Sequence, residues 1–371
     1  MQAIAAKTLL SELLPLFLFL GGMPQGPTGQ PAGAAEVLRY VPAKAQMVAT
    51  VDLGSVLPAA LAGFRAMENE PFLKDDERLQ RDYKKFQQEL DRGLKMASAM
   101  MQIDPTKDLR YATFSVVFGK EKEKPLWMAS VGGNLRLEFA EQLASMMRTE
   151  DDQPLGQGHF YEAKSERKPS LGFTDDGVLL AGSAKLVKAA LKKKRKKPSS
   201  IVKLMTSQYD DKSIATAGFH PNAIRKLAVK AEKALPIAKQ VNGLYAAMRY
   251  SGSRLVIRGK SKKSTSQFRQ VLDGWGLMMT GTELLLRGGL EIGQAVIAGK
   301  PNKKVPAPLR IMTKHRKTLL RYITRHLPAK PPTHSVSVQP RQRLITLDYQ
   351  GSSLLGSIPL LISGSGYFIL L

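Results

Sequence analysis

The chain has 371 residues, 43% of them apolar and none cysteine; it is long enough for two ordinary domains, but disulfides, thiolate metal sites, a cysteine nucleophile and a lipid-modified cysteine are excluded. The formal charge of +25 is unevenly placed: residues 178–371 hold 35 Lys/Arg against 7 Asp/Glu, net +28, whereas residues 1–177 hold 21 against 24, net −3. Such a field draws polyanions: anionic cell-wall polymer, anionic lipid or nucleic acid.

Residues 1–34 read as a signal peptide and a Pro/Gly-rich connector. Lys7 precedes the apolar run Leu13 to Met23, and small residues, Ala32-Gly33-Ala34, close the segment. Cleavage after Ala34 would start the mature chain at Ala35. The other reading is an uncleaved N-terminal membrane anchor, with Glu12 set directly against the apolar core.

The folded body begins at a proline-containing lead-in, Val41-Pro42-Ala43, running into a buried first strand over Met47 to Leu53. A short helix follows over Pro58 to Ala66. A longer one over Leu73 to Met101 has Phe72, Leu79, Tyr83, Phe86, Leu90, Leu94 and Ala97 along one face. Asp104-Pro105 breaks it. Tyr111 to Phe118 and Leu126 to Val131 make a hairpin, and Asn134 is placed to cap a helix over Leu135 to Arg148. Strands at Phe160 to Ala163, Leu171 to Thr174 and Val178 to Ala181 come next, the last two joined by the turn pair Asp176-Gly177. Ser183 opens a helix over Ala184 to Lys194.

From Ser213 the order repeats. Ile214 to Phe219 (I-A-T-A-G-F) echoes Val48 to Leu53 (V-A-T-V-D-L), and His220-Pro221-Asn222 opens a helix toward Gln240. A hairpin pairs Leu244–Tyr250 with Leu255–Arg258. A long helical stretch from Ser264 to about Ile297 carries several glycines, which argue for close packing or breaks rather than a smooth rod. A basic linker spans Lys300 to Pro308, a basic helix Leu309 to Leu327, and a last hairpin pairs Ser335–Val338 with Arg343–Tyr349. Residues 351–371 are apolar, and read as a membrane tail or as a closing hairpin turning at Gly364-Ser365-Gly366. Both halves thus run strand, helix, hairpin, helix, hairpin. The expected fold class is α+β, with two similar modules (35–197 and a basic 198–350), each an antiparallel sheet backed by helices.

Tyr40-Val41-Pro42-Ala43-x-Ala45 leading into a strand that ends Val51-Asp52-Leu53, together with Phe173-Thr174-Asp175-Asp176-Gly177, resembles a class of uncharacterised exported bacterial proteins. In that class a signal peptide is followed by a P-A-x-A lead-in and a repeated α+β body. The resemblance covers about the first half of the chain. It implies an envelope or secreted protein without a known catalytic centre; the basic second half departs from the pattern.

The candidate contacts for a polyanion are two basic runs. Lys192, Lys193, Lys194, Arg195, Lys196 and Lys197 are the densest charge in the chain, suited to phosphates or an anionic leaflet, and equally to a solvated helix end. Arg310, Lys314, Arg316, Lys317, Arg321 and Arg325 form the basic face of a helix with Ile311, Leu319, Leu320, Ile323 and Leu327 as its apolar set. No stacking aromatics interleave these runs, so nucleic acid ranks below envelope polymer or lipid.

The histidines, His159, His220, His315, His326 and His334, form no metal-binding motif, and the pairs Asp75-Asp76, Asp151-Asp152, Asp175-Asp176 and Asp210-Asp211 suit caps and turns. Ser200-x-x-Lys203 matches a serine–lysine nucleophile pattern without its companion elements. The sequence therefore points to no catalytic set, no metal, no cofactor and no small-molecule substrate. It describes an exported, non-enzymatic envelope protein suited to anionic partners; the alternative is a cytoplasmic nucleic-acid or polyanion binder with an uncleaved N-terminal anchor.

Overall fold

The computed structural model describes residues 31–69, 74, 77–119, 124–149, 152–165, 168–192, 198–209, 213–228, 239–296 and 330–351. The rest of the leader, the Lys193–Lys197 run, the basic segment 300–327 and the C-terminal apolar segment 352–371 lie outside the described residues.

The fold is α+β and every strand pair is antiparallel. Its twelve strands form one sheet in the order β11-β12-β10-β9-β8-β1-β2-β3-β7-β6-β5-β4. In chain order these are β1 (Met47–Asp52), β2 (Leu109–Val117), β3 (Leu126–Gly133), β4 (Gln153–Pro154), β5 (Gly158–Tyr161), β6 (Ser170–Thr174), β7 (Leu179–Gly182), β8 (Ser213–Phe219), β9 (Val241–Arg249), β10 (Gly252–Gly259), β11 (Thr333–Gln339) and β12 (Leu344–Gln350). The strands of both halves therefore belong to one sheet, joined where β1 pairs with β8. The echoing segments Val48–Leu53 and Ile214–Phe219 meet there, Thr50 opposite Thr216 and Ala49 opposite Ala217. Outward from that seam the connectivity runs β1-β2-β3-β7-β6 on one side and β8-β9-β10-β12-β11 on the other.

Strand alternation divides the side chains between two helical layers. On one face lie α1 (Pro31–Leu38), α6 (Ala184–Leu191) and α7 (Ser200–Gln208), packed over Val48, Met128, Leu180, Tyr245 and Val256. On the other, α5 (Leu137–Met147) covers Leu171, Phe173 and Leu179 at one end, while α9 (Lys262–Val296) covers Leu255, Ile257, Ile345 and Leu347 at the other. The helices α2 (Leu53–Ala66), α3 (Glu77–Met101), α4 (Pro105–Asp108) and α8 (Pro221–Ala228) complete the body.

Several boundaries differ from the sequence expectation for local reasons. α2 starts five residues ahead of Pro58 because Asp52 caps it: Oδ1 accepts from the Ser55 amide at 3.0 Å and Oδ2 from the Ser55 hydroxyl at 2.7 Å. Asn134 does not cap α5; its amide donates to the Asp108 carbonyl at 2.8 Å, and Arg136 takes the N-cap position. Ser183 precedes α6, but its hydroxyl accepts from the Trp127 amide at 3.2 Å, tying the helix start to β3. The helix α7 was not anticipated. Its hydrophobic set, Ile201, Val202, Leu204 and Met205, is buried, and Gly218 lets it approach β8, since a Cβ there would lie 2.8 Å from Met205.

The helix α1 spans the junction assigned to leader cleavage. Ala34, Val37 and Leu38, at i, i+3 and i+4, are buried, and Ser130 Oγ donates to the Val37 carbonyl at 3.3 Å. Just after it, the Tyr40 hydroxyl donates to Asp176 Oδ1 at 2.6 Å and Arg39 pairs with the same carboxylate. The two motifs that carry the resemblance, 136 residues apart, thus touch.

Backbone constraint is sharp at Gly182, opposite Met128 with φ +152°, where a Cβ would lie 2.3 Å from the Trp127 carbonyl oxygen. Gly182→Ala should lower the unfolding free energy by at least about 1–3 kcal/mol in chemical denaturation. A variant as stable as the parent would show that β3 and β7 are less closely held.

Two core-edge tyrosines give the fold an alkaline limit. Burial pushes the Tyr161 phenol up to about 12, with Asp152 and Glu141 adding to it. Burial and the Asp52 charge do the same for Tyr250, also to about 12. An unfolded tyrosine ionises near 10, so across roughly pH 10 to 12 the native state holds more protons than the unfolded chain and stability falls as pH rises. The Tyr161 hydroxyl is buried without a hydrogen-bond partner among the described residues. Tyr161→Phe should therefore leave stability at pH 7 within about 0.5 kcal/mol of the parent and flatten the alkaline decline. Denaturation series at both pH values test this.

Candidate anion-binding surface

Among the described residues of the second half, seven cations gather at one end of the sheet. There β10 ends at Arg258, Gly259 and Lys260, α9 begins at Lys262 and Lys263, the β11–β12 turn holds Arg341 and Arg343, and Lys239 leads into β9. Backbone bonds draw these pieces together: the Gly259 amide donates to the Arg343 carbonyl and the Lys260 amide to the Gln240 carbonyl, each at 2.8 Å. All seven cations are exposed except the half-buried Arg258. No Asp or Glu occurs over residues 239–272 or 330–347. None of the seven makes an ion pair among the described residues.

At the other end of the same strands two arginines share one carboxylate. Arg254 grips Asp348 with two bonds, Nε to Oδ1 at 2.8 Å and Nη2 to Oδ2 at 3.2 Å, and Arg249 Nη1 lies 3.4 Å from Oδ1. The two ends of β10 are about 23 Å apart at the usual strand rise.

Local structure fixes the basic end. Ser261 and Ser264 cap α9 reciprocally: Ser264 N donates to Ser261 Oγ at 3.1 Å and Ser261 N to Ser264 Oγ at 2.9 Å. Arg343 closes the β11–β12 turn with φ +56°, a conformation that costs glycine least. The arginine side chain instead donates from Nη1 to the Lys260 carbonyl at 3.1 Å, pinning the turn to the end of β10.

Lys192, the one described residue of the first sequence-assigned run, lies away from this end. Lys192 follows α6, which packs on β5 and β6 near the opposite edge of the sheet. Counting strands, that is about 34 Å away from β10 at ordinary strand spacing. Lys193, Lys194, Arg195, Lys196 and Lys197, and likewise Arg310, Lys314, Arg316, Lys317, Arg321 and Arg325, lie outside the described residues. Sequence reading missed the seven-cation cluster because its members are scattered singly or in pairs; the absence of carboxylates over 239–272 was the available signal.

Elsewhere the acid of the main cleft and the described histidines are committed to partners. A cleft of ≈ 370 Å³ opens between α2, α3 and α4, lined by Pro58, Leu61, Leu94 and Ser98. Its acid, Asp104, accepts from the Thr106 hydroxyl at 2.6 Å and amide at 3.0 Å, which hold its carboxyl below the usual range, and Lys107 adds to this. Arg65 on its rim pairs with Asp91 at 3.2 Å. His159 bonds Asp152 at 2.7 Å and His334 bonds Thr280 at 2.9 Å. His220 accepts from the Asn222 amide at 3.3 Å, and burial, with Arg225 nearby, holds it below its ordinary value. Among the described residues no three acidic or histidine side chains gather as metal ligands. Ser200 and Lys203 are both exposed on the first turns of α7, and no hydrogen bond joins them.

No family model matches the sequence, and no curated protein matches it. A solved structure, described as crystal form I of TP0453, is similar to this chain with a TM-score of 0.36 and 9% identity, covering 89% of this chain and 97% of the other. A likeness of that size carries no argument about fold or function.

Arg343→Gly should separate binding from stability. Glycine relaxes the turn while losing one hydrogen bond, so unfolding free energy should change by less than about 1 kcal/mol. Affinity for a polyanion such as inorganic polyphosphate should fall, as measured by calorimetry. Unchanged affinity would remove this end of the sheet from the binding surface.

Proposed function

We propose that this chain is an exported, non-enzymatic envelope protein whose basic half engages an anionic envelope partner, polymer or lipid. The observation that carries the reading is the carboxylate-free cationic end formed by Lys239, Arg258, Lys260, Lys262, Lys263, Arg341 and Arg343. Like charges gathered in this way repel one another, and a polyanion relieves that cost while releasing counterions. The leader-like order of residues 1–34 and the P-A-x-A lead-in supply the exported half of the reading. Intact mass and N-terminal sequence of native protein from separated cell fractions test it. A chain starting near Ala35 in an envelope or secreted fraction supports export; an uncleaved chain in the cytoplasm favours the nucleic-acid alternative.

Binding to polyphosphate should weaken steeply with salt. Replacing Lys260, Lys262 and Lys263 together by glutamine should shrink the slope of log affinity against log salt by about 1 per lysine. The same change at Lys84, Lys85 and Lys95 in the near-neutral half should leave it intact. Equal loss from both triple variants would make the attraction a property of total charge and contradict a defined surface.

A further inference from the structure

The helix α9 is apolar on two opposite sides. One side is core: Phe268, Leu272, Trp275 and Met279 pack against the sheet, and Gly276 lets the helix close on His334, whose ring would lie 2.2 Å from a Cβ there. Further along, the buried Glu283 meets the Tyr349 hydroxyl. The outward side carries Leu277, Leu284 and Leu285, and Met278 and Val271 continue the apolar surface back toward the core side. Leu277 is 64% exposed and Leu285 77%. Gly274 and Gly281 lie along the same side, with open space where a side chain would go.

This stripe runs about 21 Å at the helical rise. A two-sided apolar helix is ordinarily buried on both sides, so the outer side has an occupant to find.

We propose that the stripe rests on an anionic lipid surface, with α9 lying in the interface and the basic end of the sheet beside the headgroups. This deepens the anionic-partner reading above and rests on it. The choice of lipid over a second copy of the chain follows from charge. The helix starts at Lys262 and Lys263 inside the carboxylate-free end, and the acid flanking the stripe, Asp273, is paired with Arg269 at 3.7 Å. An anionic leaflet is complementary to that surface, whereas a second copy would bring its own excess of positive charge. Apolar burial plus attraction of juxtaposed lysines and arginines is the combination that holds interfacial helices. Among the described residues no helix is long and apolar enough to cross a membrane, which fits an α9 that lies flat. Its core side keeps it fastened to the sheet, so the stripe is presented as a rigid edge.

The test is co-sedimentation of the full chain with vesicles of phosphatidylglycerol and phosphatidylethanolamine, against vesicles of phosphatidylcholine, with polyphosphate binding measured in parallel. The parent should bind the anionic vesicles selectively. Leu277→Glu with Leu285→Glu should lower that binding by about tenfold or more while leaving polyphosphate affinity and the circular dichroism spectrum unchanged. Leu277→Asn with Leu285→Asn, which adds no charge, should also weaken it. Vesicle binding that survives both double variants overturns the proposal, as does a parent dimer that they dissociate without loss of vesicle binding. A parent that binds polyphosphate but not the vesicles fails the lipid assignment alone. A parent that binds neither fails the anionic-partner reading as well.

Discussion

The structure depends on the antiparallel pairing of β1 with β8. No hairpin makes this contact; Thr50 meets Thr216 across 166 residues of chain, and both are buried. If the pair were missing, each half would end in an open edge strand beside its own core, a template for uncontrolled pairing. With it, the two halves share one sheet and one helical layer, since the same core joins Val48 of β1, Leu180 of β7 and Val256 of β10. A pairing of this range makes closure of the sheet a late, non-local event in folding.

That seam also organises the electrostatics. It attaches a half (1–197) with a net charge of +5 to one (198–371) with +20, 29 Lys/Arg against 24 Asp/Glu and 27 against 7. The excess is then focused by strand direction. Asp348 partly offsets Arg249 and Arg254 at one end of the second half, while the segments that form the other end bring cations and, among the described residues, no acid. The surface proposed for an anionic partner is thus a product of topology, since no continuous stretch of sequence contains it.

The repeated strand, helix and hairpin order was legible because hydrophobic alternation and turn pairs such as Asp176-Gly177 act locally. The long helix from Lys262 was legible for the same reason, though its glycines divide: Gly276 marks close packing against His334, while Gly274 and Gly281 face open space. What escaped was non-local. Nothing in the echo between Val48–Leu53 and Ile214–Phe219 tells that those strands pair and bring both halves into one sheet. The helix α7 was hidden because Ser199, whose hydroxyl caps Val202, follows a charge run that reads as linker. The charge runs drew attention by density, whereas the clustered cations at the sheet end are dispersed over four segments and visible only after folding.

The central claim, that anions are received at one end of the second half, is tested most directly by lysine footprinting. Native protein is acetylated with and without polyphosphate, and the modified sites are read by mass spectrometry. The account predicts protection at Lys239, Lys260, Lys262 and Lys263, with Lys84, Lys85 and Lys95 unchanged. Protection spread evenly over both halves, or confined to the first, would contradict it.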